Sequence, residues 1–249
     1  MNQSLKDKFA LVTGASSGIG KAVALHLAEL GASVTISARR DEKLADLVKT
    51  IQSVGGQAQA VKSDAGNTGQ IDDLFAKCLS WGRRLDAVVV NAGRGLAGGV
   101  LNSDENAWEE IYRLNVLGAA HLMRISAQHM VEQKGGDIVV LGSVSGHNIS
   151  PYSGFYGSSK WAITAAAESL RREVCSHGVR VSTIMPGVVQ SEFQEVAGYN
   201  FENFSKSAQR FGKCLEPADV ARAIGFIITQ PAHVHINELV IRPTGEDYP

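Results

Sequence analysis

At 249 residues, 44% of them hydrophobic, the chain is long enough for one large domain with a substantial core. Its 24 Lys and Arg stand against 25 Asp and Glu, a net charge of −1 that leaves no cationic stripe for a nucleic-acid partner. No run reaches the roughly 18 apolar residues of a membrane span, and Met1-Asn-Gln-Ser-Leu-Lys-Asp-Lys8 lacks a secretion signal's apolar core. A soluble, cytoplasmic protein without membrane or nucleic-acid partners is therefore expected.

Short apolar runs alternate with amphipathic stretches from end to end. Strands are predicted at 8–13, 33–38, 57–63, 85–91, 136–142, 180–185 and 237–242, and helices at 18–30, 41–54, 68–81, 104–133, 155–177 and 217–229. Such alternation builds parallel βαβ units. The predicted fold is α/β: a doubly wound, parallel seven-stranded sheet with helices on both faces, one domain over 1–249. Ligands of such sheets bind beyond the carboxyl ends of the strands, where Gly14, Asp64, Asn91, Ser143 and Pro186 all fall.

The first strand runs into Gly14-Ala15-Ser16-Ser17-Gly18-Ile19-Gly20, and a helical stretch follows. Strand, glycine turn and helix together form a dinucleotide cradle. Gly14 permits the tight turn, Gly18 lets the backbone approach a pyrophosphate, and Gly20 lets the helix pack closely on the strand. The helix N-terminus then faces the anion. The spacing is Gly-x-x-x-Gly-x-Gly rather than Gly-x-Gly-x-x-Gly, so the flanking elements carry much of the argument.

The second strand ends in Arg39-Arg40, where NAD-binding folds place an acid for the ribose 2′-hydroxyl. A guanidinium suits a 2′-phosphate that a carboxylate would repel. The expected cofactor is NADP(H), with Arg39 the first contact and Arg40 the next.

Further along, Ser143 ends the fifth strand, and Tyr156 and Lys160 follow in Tyr-Gly-Ser-Ser-Lys. Positions i and i+4 share a helix face, so phenol and ammonium can enter one cleft with the strand-end hydroxyl beside them. A phenolate base at pH 7 needs stabilising by roughly 3 pKa units, or about 4 kcal/mol. Lys160 is the cation fixed in place to provide it.

With Thr13-Gly14-Ala-Ser-Ser-Gly18-Ile-Gly20, Asn91-Ala92-Gly93, Asn115, Ser143, Tyr156-x-x-x-Lys160 and Pro186-Gly187 in order, the chain resembles the short-chain dehydrogenase/reductase family, in its compact subgroup. The resemblance implies that Tyr156 is general acid in carbonyl reduction and base in alcohol oxidation. It also implies that Lys160 lowers the tyrosine pKa and bonds the nicotinamide ribose, that Ser143 polarises the substrate oxygen, and that Asn115 secures a water beside Lys160. On the cofactor side it assigns Ser16, Ser17 and Ile19 to the glycine turn, Asp64 and Ala65 to adenine, Asn91 to Gly93 to the adenine ribose, and Pro186, Gly187, Val188 and Val189 to the nicotinamide amide. Ser191 stands where many members have a threonine, and Val90 where many have a second asparagine. The Ala-Arg-Arg after the second strand and the run from His233 to Thr244 resemble the serine and 3-hydroxy acid dehydrogenases. A homo-oligomer, tetramer or dimer, is implied as well, with Ala162, Ala165, Ala166 and Leu170 serving either its interface or the core.

Past Pro186 both periodicities fade while Phe193, Tyr199, Phe201, Phe204 and Phe211 accumulate. The segment 187–215 reads as a substrate lid, or as surface helices whose aromatics pack on the core. Arg94, His147, Asn148, Tyr152 and Phe155 flank the catalytic motifs and are candidates to reach a carbonyl or alcohol substrate. Arg94 would either pair with a substrate carboxylate or be a solvated loop charge. Cys78, Cys175 and Cys214 form no Cys-x-x-Cys pair, no His-Glu-x-x-His occurs, and no metal site is expected. The function expected is hydride transfer between NADP(H) and a carbonyl or secondary alcohol. The alternative is a dinucleotide-binding regulator without chemistry.

Overall fold

Seven short runs become strands in the computed structural model, which describes residues 4–148, 150–199 and 209–247. They are β1 (Phe9–Thr13), β2 (Ser33–Ala38), β3 (Gln57–Lys62), β4 (Ala87–Val90), β5 (Gly136–Leu141), β6 (Val179–Pro186) and β7 (Glu238–Ile241). All pair in parallel, in the order β3-β2-β1-β4-β5-β6-β7. The order reverses between β1 and β4, so a crevice opens there at the strand C-termini.

The major helices are α1 (Gly18–Glu29), α2 (Asp41–Ser53), α3 (Thr68–Gly82), α4 (Trp108–Tyr112), α5 (Ala119–Gln133), α6 (Gly154–Val174), α7 (Phe193–Val196) and α8 (Pro217–Ile228). Side chains of a strand alternate between faces, and β1 shows the consequence. Ala10 and Val12 join Leu27 of α1, Leu44 of α2 and Ile224 of α8 on one side of the sheet. Leu11 joins Leu74 of α3, Met130 of α5 and Ile163 of α6 on the other. Each such fully buried large aliphatic side chain contributes roughly 1.5–3 kcal/mol. On α6, Ile163 and Ala167 are core, Ala166 and Leu170 pack partly against it, and Ala165 is exposed.

The predicted helix over 104–133 is not continuous. A 3₁₀ turn (Glu105–Ala107) leads into α4, and a π-helical stretch (Arg113–Gly118) joins α4 to α5. A Cβ on Gly118 would collide with the carbonyl of Ala65, so this stretch lies directly against the chain leaving β3. The wider π turn brings Asn115 to the crevice; π turns inside helices are commonly found at functional sites. Two helices end on non-glycine residues in left-handed conformation: Arg83 after α3 (φ 59°) and Lys134 after α5 (φ 62°).

One part-buried cation braces the β5–β6 side of the sheet. Arg180 on β6 donates to both carboxylate oxygens of Asp137 on β5, at 2.6 and 3.0 Å, and to the carbonyls of Ile228, Gln230, Pro231 and Val234. The guanidinium thereby ties the chain after α8 to the sheet. No helix among the described residues is long and apolar enough to cross a membrane.

Candidate active site

The crevice is a cleft of about 1370 Å³ lined from both sides of the switch point. Every residue assigned to cofactor or catalysis from the sequence lines it except Asn115, which stands just behind.

The glycine turn is held by the end of β4. Thr13 Oγ1 accepts from the backbone N–H groups of Asn91 and Ala92, each at 3.2 Å, and Asn91 Nδ2 donates to the carbonyl of Thr13 at 2.7 Å. Gly14 takes a φ of 68° and Gly18 one of 52°, the left-handed region that glycine enters without penalty. Gly20 is needed for a reason other than packing on the strand. A Cβ there would stand 2.5 Å from the Asn91 amide and from the Gly14 carbonyl oxygen.

Arg40 N-caps α2 and reaches back over this turn. Its Nε donates to Ser16 Oγ at 3.0 Å and its Nη2 to Ser17 Oγ at 2.6 Å. Arg39 lines the same cleft but makes no hydrogen bond or ion pair among the described residues. Asp64 Oδ1 accepts from the N–H of Gly66 at 2.9 Å, which shapes the turn after β3 with Ala65 at the cleft wall.

On the other side, β5 delivers Ser143, and the first turns of α6 deliver Tyr156 and Lys160, all buried. The Ser143 hydroxyl stands near enough to the Tyr156 phenol to influence its ionisation, and its Oγ accepts from the N–H of Ser145 at 3.1 Å. Lys160 Nζ donates to the carbonyl of Leu141 at 2.6 Å and lies 5.9 Å from the centre of the Tyr156 ring. Asn115 Oδ1 accepts from the N–H of Arg94, and its Nδ2 donates to the carbonyl of Arg94 and to Ser159 Oγ. Both amide donors are therefore used within the chain.

The electrostatics differ from the sequence expectation of a phenol made acidic by Lys160. Burial raises the Tyr156 pKa well above its ordinary range, outweighing the lowering from the Ser143 hydroxyl. Burial also lowers the Lys160 ammonium to about 8. Both charged forms lose hydration in the same enclosed space, and that loss is the largest cause of each shift. In the protein alone the phenol thus keeps its proton at neutral pH.

Pro186 to Val189 leave β6 along the cleft wall. Val188 N–H donates to Glu246 Oε2 at 3.2 Å, and Glu246 occupies the space where Gly187 has no side chain. Ser191 faces Gly18, and its Oγ accepts from the N–H of Phe193 at 3.3 Å. Of the segment 187–215, residues 200–208, with Phe201 and Phe204, lie outside the described residues. Phe193 opens α7 and packs on Tyr156 with ring centres 5.4 Å apart, and Tyr199 and Phe211 line the cleft.

The flanking candidates divide. Tyr152 and Arg94 line the cleft. Arg94 pairs through Nη1 with Glu110 at 2.6 Å, so its charge is met within the chain. Phe155 stacks on Trp108 at 3.8 Å, and His147 turns to Glu238 at 3.9 Å; neither they nor Asn148 line the cleft. Three neighbours were not singled out from the sequence. They are Glu192, which pairs with Arg40 and Lys43; Glu246, whose buried Oε1 has no hydrogen-bond partner among the described residues; and Ser159, which holds Asn115. Ser159 alone had a signal, lying inside the Tyr-x-x-x-Lys run.

Among the described residues no cluster of His, Cys, Asp and Glu could hold a metal ion. The residues present fit a dinucleotide: a glycine turn with no room for side chains at Gly14 and Gly20, a guanidinium over its mouth, and a long cleft ending at buried Tyr156 and Lys160.

Comparison with known proteins gives the same picture. An uncharacterized oxidoreductase of Staphylococcus epidermidis is 33% identical over 239 residues, covering 96% of this chain and 98% of the relative. The closed form of serine dehydrogenase complexed with NADP+ superposes with a TM-score of 0.88 at 29% identity, covering 96% of each chain. A short chain dehydrogenase/reductase from Burkholderia phymatum in complex with NAD superposes with a TM-score of 0.85 at 27% identity, over 95% of this chain and 89% of that one. The family model for short chain dehydrogenase matches residues 8–199, from β1 through α7, and on that match the protein belongs to the short-chain dehydrogenase/reductase family of oxidoreductases.

Proposed function

We propose that the protein moves hydride between NADP(H) and the carbon of a carbonyl or secondary alcohol, with Tyr156 as general acid and base. The observation that carries this reading is that buried Ser143, Tyr156 and Lys160 line one cleft together, with Lys160 one helical turn from Tyr156 on α6. Two hydroxyls converge there, so a substrate oxygen receives a hydrogen bond from Ser143 and a proton from Tyr156 in reduction; in oxidation Tyr156 takes the proton back. The bound nicotinamide supplies or accepts the hydride. The Lys160 ammonium, charged below about pH 8, opposes build-up of negative charge on the phenol oxygen as the proton leaves.

Asn115 holds the Asn91–Arg94 turn against α6 and so fixes the spacing between the dinucleotide wall and Lys160. Arg40 and Arg39 support NADP(H) over NAD(H), since a guanidinium over the glycine turn meets a 2′-phosphate and no acid stands at the end of β2. The segment 187–215 is assigned as a cover over the reacting end, supported by Phe193 on Tyr156; such a cover excludes water from the transfer. Exposed Leu117 and Trp161 support a homo-oligomer built on the α5–α6 side.

The test is direct. Purified protein is mixed with NADPH and a panel of ketones, aldehydes and keto acids while the nicotinamide absorbance is followed. Consumption with at least one carbonyl is expected. NADPH binding with no turnover across the panel would favour a regulator instead, and no binding would remove the reading altogether.

A further inference from the structure

Three side chains from distant parts of the chain meet at the dinucleotide end of the cleft. Two edges of the Arg40 guanidinium are given to Ser16 and Ser17, which lays it against the glycine turn. Its remaining nitrogen, Nη1, donates to Glu192 Oε2 at 2.8 Å, and Lys43, on the first turn of α2, donates to Glu192 Oε1 at 2.9 Å. Glu192 comes from the far wall, immediately before α7. One carboxylate thus bridges a guanidinium and an ammonium with both of its oxygens.

That ligation is chemically equivalent to the grip on a phosphate monoester, which also offers anionic oxygens to a fork and a point charge. The three side chains are 45–48% exposed, so a competing anion can reach them and the bridge is readily exchanged. A ribose 2′-hydroxyl carries no charge and offers no such competition. A 2′-phosphate carries about −1.5 to −2 at pH 7 and outbids a single carboxylate.

Building on the NADP(H) reading above, we propose that Glu192 is a cofactor-specificity residue: its carboxylate competes with the 2′-phosphate for Arg40 and Lys43 and thereby limits how strongly NADP(H) is preferred over NAD(H). With NAD(H) bound, Glu192 keeps both partners. With NADP(H) bound, the phosphate takes them and Glu192 turns to solvent. Affinity for NADP(H) is lower than the two cations alone would give.

The experiment measures dissociation constants of the cofactor-free protein for NADPH and NADH by calorimetry, for wild type, Glu192→Gln and Lys43→Gln. Glu192→Gln keeps size and polarity but removes the competing charge, so NADPH should bind roughly fivefold more tightly with NADH within about twofold of wild type. Lys43→Gln should weaken NADPH by a comparable factor and leave NADH alone. If Glu192→Gln weakens NADPH, weakens both cofactors equally, or leaves their ratio unchanged, the competition is overturned. Wild-type protein with no affinity for NADPH overturns the NADP(H) reading together with it. Wild type that prefers NADPH beside an unresponsive Glu192→Gln overturns the competition alone.

Discussion

The side-chain amide of Asn115 closes a two-bond ring on the backbone of Arg94: Oδ1 accepts from its N–H at 3.0 Å, and Nδ2 donates to its carbonyl at 2.9 Å. This is the bond pattern of a strand pair, supplied by one side chain from a π-helical turn. It replaces the sheet partner that the chain loses on leaving β4. Asn115→Leu leaves both backbone groups of Arg94 and the Ser159 hydroxyl without these partners in a buried setting. A loss of about 1–3 kcal/mol in urea unfolding is expected, with a larger proportional fall in turnover than in NADPH affinity. Wild-type stability in that variant would show the ring to be incidental.

Removing the phenol hydroxyl tests the chemistry most directly. Tyr156→Phe should lower turnover by about 100-fold or more, while the NADPH dissociation constant changes by less than about threefold. Ser143→Ala should lower turnover with the same sparing of cofactor affinity. Rates near wild type in Tyr156→Phe would withdraw the acid–base role.

Arg40 makes two hydrogen bonds to the glycine turn and Arg39 makes none among the described residues. Arg40→Ser should therefore weaken NADPH by about tenfold or more, as losing a charge-assisted contact does. NADH should be little affected, and Arg39→Ser should have the smaller effect. Equal responses of the two variants would place the phosphate between the arginines.

Burial lowers Lys160 from 10.5 to about 8, and the sign of the consequence is fixed. Between these values the unfolded chain holds the proton that the folded chain has released, so stability from this group rises with pH across that window. The gain from pH 8 to 9 is about 1 kcal/mol. Cys78 and Cys214 have raised pKa values, and Tyr156 is raised above 10, so these groups act in the opposite sense as pH increases. The difference in urea midpoints between wild type and Lys160→Met, followed from pH 7 to 9, isolates the lysine. A variant whose midpoint tracks wild type at every pH would place the lysine pKa elsewhere.

Local patterns in the chain were enough to draw the sheet and the main motifs. The run Ser33–Ala38 is a strand with the predicted limits, and the glycine turn sits between β1 and α1 as the spacing requires. Ser143, Tyr156 and Lys160 converge because strand-end and i, i+4 positions are short-range geometry. The π-helical stretch escaped, since Arg113–Gly118 carries no proline, a lone glycine is tolerated inside a helix, and the approach of Gly118 to Ala65 is a tertiary contact. Pairings across the cleft escaped as well. Glu192 and Arg40 lie 152 positions apart, and no periodicity links a carboxylate beyond β6 to a strand-end guanidinium. The direction of the Tyr156 shift was missed because desolvation depends on how closely the wall packs, which charge counting does not measure.

The left-handed ends of α3 and α5 leave thermostability within easy reach of an engineer. Arg83 and Lys134 each sit in a conformation that costs a residue with a Cβ about 1–2 kcal/mol and glycine almost nothing. Neither residue lines the catalytic cleft. Glycine at both positions should raise the melting temperature by several degrees, even after its greater freedom in the unfolded chain is counted, and leave the kinetics untouched.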